Sequence, residues 1–238
     1  MTASQHTIAG RVLTMPVEIR KATQHMAMFS VDADAAQQMI DYSGLRVCRY
    51  LPGRAIVILT FQHYIEGDLD QYYEFNTTVM VNPPGSTASG PRALQSAGAF
   101  THQMPVDQEF TLEAGTKIWG YPKVMADFTI REGRQFGFDV SVDGRLVVAM
   151  EFRRGLPFRL TPRHQAQRTY SHRDGVACET AFEYTLGGVR TRFGGVRIRL
   201  GDHPYAKELA SLGLPKRALL SSSADNVQMT VGDAQEIS

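Results

Sequence analysis

Apolar residues recur along this chain mostly at every second position, the period of a half-buried strand, and take helical spacing in only a few places. Residues 32–41, DADAAQQMID, carry Ala36, Met39 and Ile40 at helical spacing behind the capping residue Asp32, which predicts a short helix. Leu45 to Tyr50 and Ala55 to Phe61 read as strands separated by the Pro52-Gly53 turn signal. Asn76 to Asn82 is strand-like by its β-branched content and runs into Pro83-Pro84-Gly85-Ser86 and a Gly/Ser/Ala-rich loop to about Ala99, either loose or a lid. Tyr205 to Leu212 reads as a second helix, with Gly213 as its stop and Pro215 beyond.

The segment Phe136 to Phe152 folds back at Asp143-Gly144. A two-residue turn would pair Val142 with Arg145 and send Phe136, Phe138 and Val140 to the face opposite Leu146, Val148 and Met150, because a one-residue slip inverts every side chain. A three-residue loop with Gly144 as a left-handed bulge pairs Ser141 with Arg145 and gathers all six on one face. The bulged hairpin is the expectation. From Gly155 to Gly175 the chain is polar and rich in Arg, Pro and His, which reads as an excursion from the core, and strands resume near Glu179. Gly188-Val-Arg-Thr-Arg192 and Gly195-Val-Arg-Ile-Arg199 alternate arginine with Val189, Thr191, Val196 and Ile198, the signature of solvated strand faces. The whole predicts a β-rich, antiparallel α+β fold with two or three helices, in one domain over residues 1–238.

Composition narrows the function. Hydrophobic residues at 43% and charged residues at 21% are ordinary soluble globular usage. Lys+Arg 25 against Asp+Glu 24 lacks the basic excess of a nucleic-acid binder, so no nucleic-acid partner is expected. The longest uncharged apolar run, Ala55 to Phe61, falls far short of the roughly 20 residues a membrane span needs. Met1 to Arg11 lack a basic start followed by an apolar stretch, so no export signal is read and a cytoplasmic location is expected. Cys48 and Cys178 stand apart, without metal-ligand spacing, and read as free thiols. Phosphate-loop, dinucleotide, zinc-hydrolase and serine-hydrolase signatures are missing, so the nucleotide, zinc-hydrolase and serine-hydrolase readings lose weight.

One lysine has an unusual setting. In Gly115-Thr-Lys-Ile-Trp-Gly-Tyr-Pro-Lys-Val-Met-Ala-Asp-Phe128, Lys123 follows Trp119, Tyr121 and Pro122 and precedes Val124 and Met125. Burial disfavours an ammonium, so such a lysine can become a nucleophile near neutrality; a fall from about 10.4 to about 7 costs roughly 4 to 5 kcal/mol. A neutral lysine condenses with a ketone to a protonated imine that accepts electrons from a neighbouring bond. The alternative is a lysine at a strand end with its ammonium in water.

The stretch Gly115-x-x-x-x-Gly-Tyr-Pro-Lys123 resembles the lysine motif of the acetoacetate decarboxylase family. Tyr72-Tyr-Glu74, His102-Gln-Met-Pro-Val-Asp107 and the run from Asp202-His203 through Leu214-Pro215 to Ser221-Ser-Ser223 resemble further family segments in the same order, over roughly residues 20 to 235. Desolvated lysine chemistry is that family's, so the resemblance, not the spacing, implies that Lys123 forms the imine. It further implies Glu74 as the group that orients substrate or moves protons, and Tyr72, Met104, Trp119 and Tyr121 beside the substrate. Arg20, with Lys21 beside it, is the nearest candidate for the cation that holds the substrate carboxylate. Implied with these are a barrel-like fold with a few peripheral helices, a small oxo acid substrate, carbon–carbon lyase chemistry that needs neither a metal nor an organic cofactor, and a homo-oligomer. Two departures stand out: Val124 where the family's decarboxylases have a second lysine, and no carboxylate in Ile56-Val-Ile-Leu-Thr60. An aldolase or dehydratase using the same imine, or a non-catalytic binding protein, remain the alternatives.

Overall fold

The computed structural model describes residues 4–158 and 165–237. In chain order these form β1 (Gln5–Ile8), β2 (Arg11–Thr14), β3 (Val17–Asp32), α1 (Ala33–Ile40), β4 (Arg54–Gly67), β5 (Tyr72–Val81) and β6 (Gly98–Val106). They continue with α2 (Glu109–Trp119), β7 (Lys123–Met125), β8 (Asp127–Arg131), β9 (Phe136–Val142), β10 (Arg145–Phe152), β11 (Leu156–Pro157) and β12 (Gln165–Arg173). Last come β13 (Val176–Gly187), β14 (Arg190–Arg192), β15 (Val196–Leu200), α3 (Pro204–Ser211) and β16 (Leu220–Glu236).

Strands β3, β4, β5, β6, β12, β13 and β16 follow one another around a ring, and β16 pairs back onto β3 to close it. Every step is antiparallel except β6 to β12, so the predicted β-rich barrel is present. A second sheet, β15-β10-β9-β8, packs on the barrel's outer face together with α1 and α3, burying Phe61, Phe75, Phe138 and Met150 in the larger core. Asp32 caps α1 by accepting from Asp34 N and Ala35 N, as predicted.

One inner wall positions the site. Registers across β16, β3, β4 and β5 align four rows: Leu220, Met28, Ile58, Thr78; then Ser222, Met26, Thr60, Asn76; then Ala224, Gln24, Gln62, Glu74; then Val227, Ala22, Tyr64, Tyr72. Partners directly opposite share a face and alternate residues return to it. All four members of the first row are partly exposed and all four of the last are buried. The barrel is therefore open at the Ile58–Thr78 end and closed at the Tyr64–Tyr72 end, where α2 and the β1–β2 hairpin add to a second core.

Three expectations change. The turn at Asp143-Gly144 is the two-residue form, Val142 opposite Arg145, with φ of 50° and 69° at its centre, the left-handed pair that a tight hairpin prefers. The extra residue sits instead at Val147, where the register shifts and Val148 comes opposite Val140, so Phe138, Val140, Val148 and Met150 are still buried in one core. The bulge is real but displaced into β10. Leu45 to Tyr50 makes only isolated bridges, Val47 to Val81 and Arg49 to Ser89. The supposed excursion after Gly155 contains β12, a barrel strand with Tyr170 and Ser171 buried; positions 159–164 of it lie outside the described residues. Polarity misled there because β12 turns alternate residues outward. Among the described residues no helix is long and apolar enough to cross a membrane, and no cluster of three His, Cys, Asp or Glu is placed to hold a metal.

Candidate active site

Helix α2 and the turn after it deliver Lys123. Gln108 caps the helix by accepting from Thr111 N, and Thr111, Ala114, Gly115, Ile118 and Trp119 form its buried face. That face was not predicted, because threonine and glycine at 111 and 115 dilute the apolar stripe that marks a helix. Gly120 ends the helix in the left-handed conformation, φ 65°, and its turn lies so close to Arg173 that a side chain at 120 would meet the arginine's Cβ at 2.6 Å. The Arg173 guanidinium donates to the last carbonyls of α2, Lys117 O at 3.2 Å and Ile118 O at 3.0 Å. So β12, the strand that sequence polarity concealed, fixes the helix end from which the lysine emerges.

Lys123 opens β7, paired with Met104 of β6, and its side chain is 4% exposed. Its Nζ lies 3.1 Å from Glu74 Oε2, donates to Thr111 Oγ1 at 2.8 Å and stands 5.1 Å from the centre of the Tyr72 ring. The ring of Tyr72 stacks on Tyr64 at 4.2 Å, and the Tyr64 hydroxyl lies within hydrogen-bond reach of Glu74 Oε1, 3.1 Å, and Gln62 Oε1, 2.9 Å. Burial pulls the Lys123 ammonium below the ordinary lysine pKa, and only Glu74 opposes it. Burial, reinforced by the Glu74 charge, raises the phenols of Tyr64 and Tyr72 well above theirs, so both stay protonated donors.

Of the side chains implied by the resemblance, Lys123, Glu74 and Tyr72 come together, and Met104 is the neighbour of Lys123 across the strands. Tyr121 is held to Thr169 Oγ1 at 3.0 Å, and its phenol is pushed up to about 12 by burial. Trp119 stacks behind Tyr121 and donates to Gly232 O at 2.7 Å, which ties α2 to β16. Arg20 does not join them. Its guanidinium lies at the surface, 45% exposed, held by Glu66 at 3.1 Å and Asp68 at 2.8 Å. A strand alternates its faces, and Arg20 sits on the outward one beside buried Ile19. Val124 is likewise turned outward, 39% exposed, so position 124 does not face the Nζ and the lowered affinity for protons rests on burial. Thr111, Tyr64 and Gln62 were not singled out beforehand; the signal for Tyr64 and Gln62 was their even spacing with Thr60 along β4.

The family model for acetoacetate decarboxylase matches residues 5–235. The chain belongs to the acetoacetate decarboxylase family. No curated protein matches it. Among solved structures it resembles acetoacetate decarboxylase from Legionella pneumophila, 15% identical, TM-score 0.65, covering 94% of this chain and 87% of that one. It also resembles the enduracididine biosynthesis enzyme MppR in complex with the condensation product of pyruvate and imidazole 4-carboxaldehyde, 16% identical, TM-score 0.64, covering 94% and 90%. An acetoacetate decarboxylase-like enzyme from Sphingomonas wittichii RW1 is 15% identical, TM-score 0.61, and covers both chains fully, 100% and 100%. At these identities the likeness is one of fold.

Proposed function

We propose that this family member is a lyase that binds a small oxo acid as an imine on Lys123 and releases carbon dioxide. The observation that carries the reading is the Lys123 Nζ itself, buried, lowered in proton affinity and 3.1 Å from the only charged side chain in the four rows of the inner wall. In its neutral form the amine attacks the oxo carbon. The carbonyl oxygen takes up two protons and leaves as water, with Glu74 within reach to carry protons between nitrogen and oxygen. For a 3-oxo acid, the protonated imine then receives the electron pair of the breaking carbon–carbon bond as carbon dioxide departs, leaving an enamine. A proton added to carbon regenerates the imine, and water hydrolyses it to the ketone and free amine.

The uncharged remainder of the wall supports decarboxylation. A carboxylate entering beside Gln24 and Gln62 loses hydration and meets no arginine or second lysine in the four rows, only the imine cation that withdraws its electrons, and departure as neutral carbon dioxide removes the desolvation cost. The test is intact mass after borohydride treatment with acetoacetate and pyruvate, alongside measured carbon dioxide release. An adduct on wild type and none on Lys123→Ala is expected; unchanged turnover in Lys123→Ala would sink the reading.

Gln62 opposite Glu74 favours a second reading, since a single carboxylate suffices to remove a proton beside an imine and form an enamine that attacks an aldehyde. That chemistry gives a condensed or dehydrated product and no carbon dioxide. We also infer a homo-oligomer within the cytoplasm, one domain per chain. Its support is the edge formed by β11 and β14, where Leu156, Phe158 and Phe193 are 78%, 51% and 81% exposed, a patch that a second copy would cover. A monomeric mass by light scattering would refute the oligomer.

A further inference from the structure

The row of the inner wall between the reactive lysine and the open end has no assigned task. Asn76 and Thr60 face each other across β5 and β4, each 8% exposed, and neither side chain has a hydrogen-bond partner among the described residues. They lie on the same face as Gln62 and Glu74, one row nearer the opening. The register from Glu74–Val106 to Thr77–Gln103 sets Met104 beside Asn76, and Met104 in turn pairs with Lys123. Both residues are mostly buried, yet their amide and hydroxyl atoms still touch solvent and are open to a ligand. They lie between the partly exposed row of Ile58 and Thr78 and the row of Glu74, which faces the Nζ.

We propose that Asn76 and Thr60 form a second recognition point that selects oxo acids bearing an uncharged hydrogen-bonding group, such as a hydroxyl, about four bonds from the carbonyl carbon. This rests on the reading of Lys123 as the imine-forming group. The distance follows from the strand: one row is two residues, about 6.6 Å, so a substrate joined to Nζ beside Glu74 brings a group some four bonds away level with Asn76. The charge class follows from the lining. Asn76 and Thr60 donate and accept, and Ser222 adds a hydroxyl in the same row, yet the row holds no cation to neutralise a second carboxylate. Met26 supplies an apolar contact for the intervening carbons. A site with hydrogen-bonding groups left unpaired rejects the analogue that lacks the matching group far more strongly than an apolar pocket rejects a missing methylene.

The probes are 5-hydroxy-2-oxopentanoate and 2-oxopentanoate, with affinity for wild type, Asn76→Leu and Thr60→Val measured by calorimetry and adducts trapped with borohydride on the same samples. Wild type is expected to bind the hydroxylated acid at least tenfold more tightly, and each variant to lose most of that preference. Folding of each variant is checked by the binding of 2-oxopentanoate itself. Equal affinity for the two acids in wild type, or a preference that survives both substitutions, would overturn the second recognition point. A preserved preference in wild type, lost in the variants, with no adduct on Lys123, would uphold this contact and refute the imine.

Discussion

A methyl group on Gly115 would lie 2.5 Å from both Cδ and Cε of Lys123. The lysine's hydrocarbon chain crosses α2 at the one residue of that turn with no side chain, and one turn earlier Thr111 receives its Nζ. Gly115→Ala is therefore expected to slow adduct formation and turnover at least tenfold. The melting temperature should move by only a few degrees, because alanine adds back about 1 kcal/mol of helix propensity. Trapping kinetics beside a thermal melt separate the two effects; a large loss of Tm with normal kinetics on the folded fraction would contradict this account.

Glu74 is the interaction that holds the Lys123 pKa up against burial. Glu74→Gln keeps the shape and removes the charge, so the pKa of the lysine should fall further and its labelling at neutral pH should rise, while turnover drops by about 10² to 10⁴ through loss of the proton carrier. Labelling of Lys123 against pH, set beside the steady-state rate, reads both. A variant whose labelling shifts toward higher pH would reverse the sign and refute the electrostatic assignment.

His25 gives a prediction about stability rather than chemistry. Its ring stacks on Phe136 with centroids 3.8 Å apart, its Nδ1 is buried without a partner, and burial lowers its pKa to about 4. The unfolded imidazole protonates near 6.5, so between that pH and about 4 the unfolded state binds the extra proton. Stability is thus intact above about 6.5 and falls by up to about 3 kcal/mol as the pH drops to 4. Urea unfolding at pH 7 and pH 4.5 should show a smaller acid loss in His25→Phe than in wild type; an equal loss would exclude His25 as its source.

The β9–β10 turn offers a control remote from the lysine. Gly144 has φ 69°, a conformation in which a β-branched residue is strained. Gly144→Val should lower stability by about 1 to 2 kcal/mol and leave turnover of the folded protein as it was. Denaturant titration with an activity assay checks it, and a neutral substitution would mean that the turn is not held in that form.

Periodicity made the strand-rich character, α1 and α3 legible because each announces itself over a few neighbouring residues, and the family resemblance supplied the barrel and the lysine motif. What it missed depends on distance along the chain. Whether the extra residue of the hairpin lies at Gly144 or Val147 is decided by packing of β10 against β15, which lies nearly fifty positions away. Arg20 is the nearest candidate for the family's N-terminal arginine, which has no clean counterpart in this sequence, whereas the β-bulge at Arg20–Lys21 and the carboxylates of Glu66 and Asp68 determine where its guanidinium goes. Thr111 met the lysine only after α2 and β7 had folded against each other. Gln62 and Tyr64 became part of the site through register, which a single strand's pattern does not encode.

The pairing of β3 with β16 joins residues 17–32 to residues 220–236, some two hundred positions apart. On a ribosome, nearly the entire chain must emerge before the wall bearing Ser222 and Ala224 exists. Loop-closure entropy makes such a distant pairing slow. Until it forms, the lysine is an ordinary hydrated ammonium, unreactive toward the carbonyl metabolites around it. The same closure that completes the barrel desolvates Lys123, so under the imine-forming reading proposed above a nascent or truncated chain is chemically quiet.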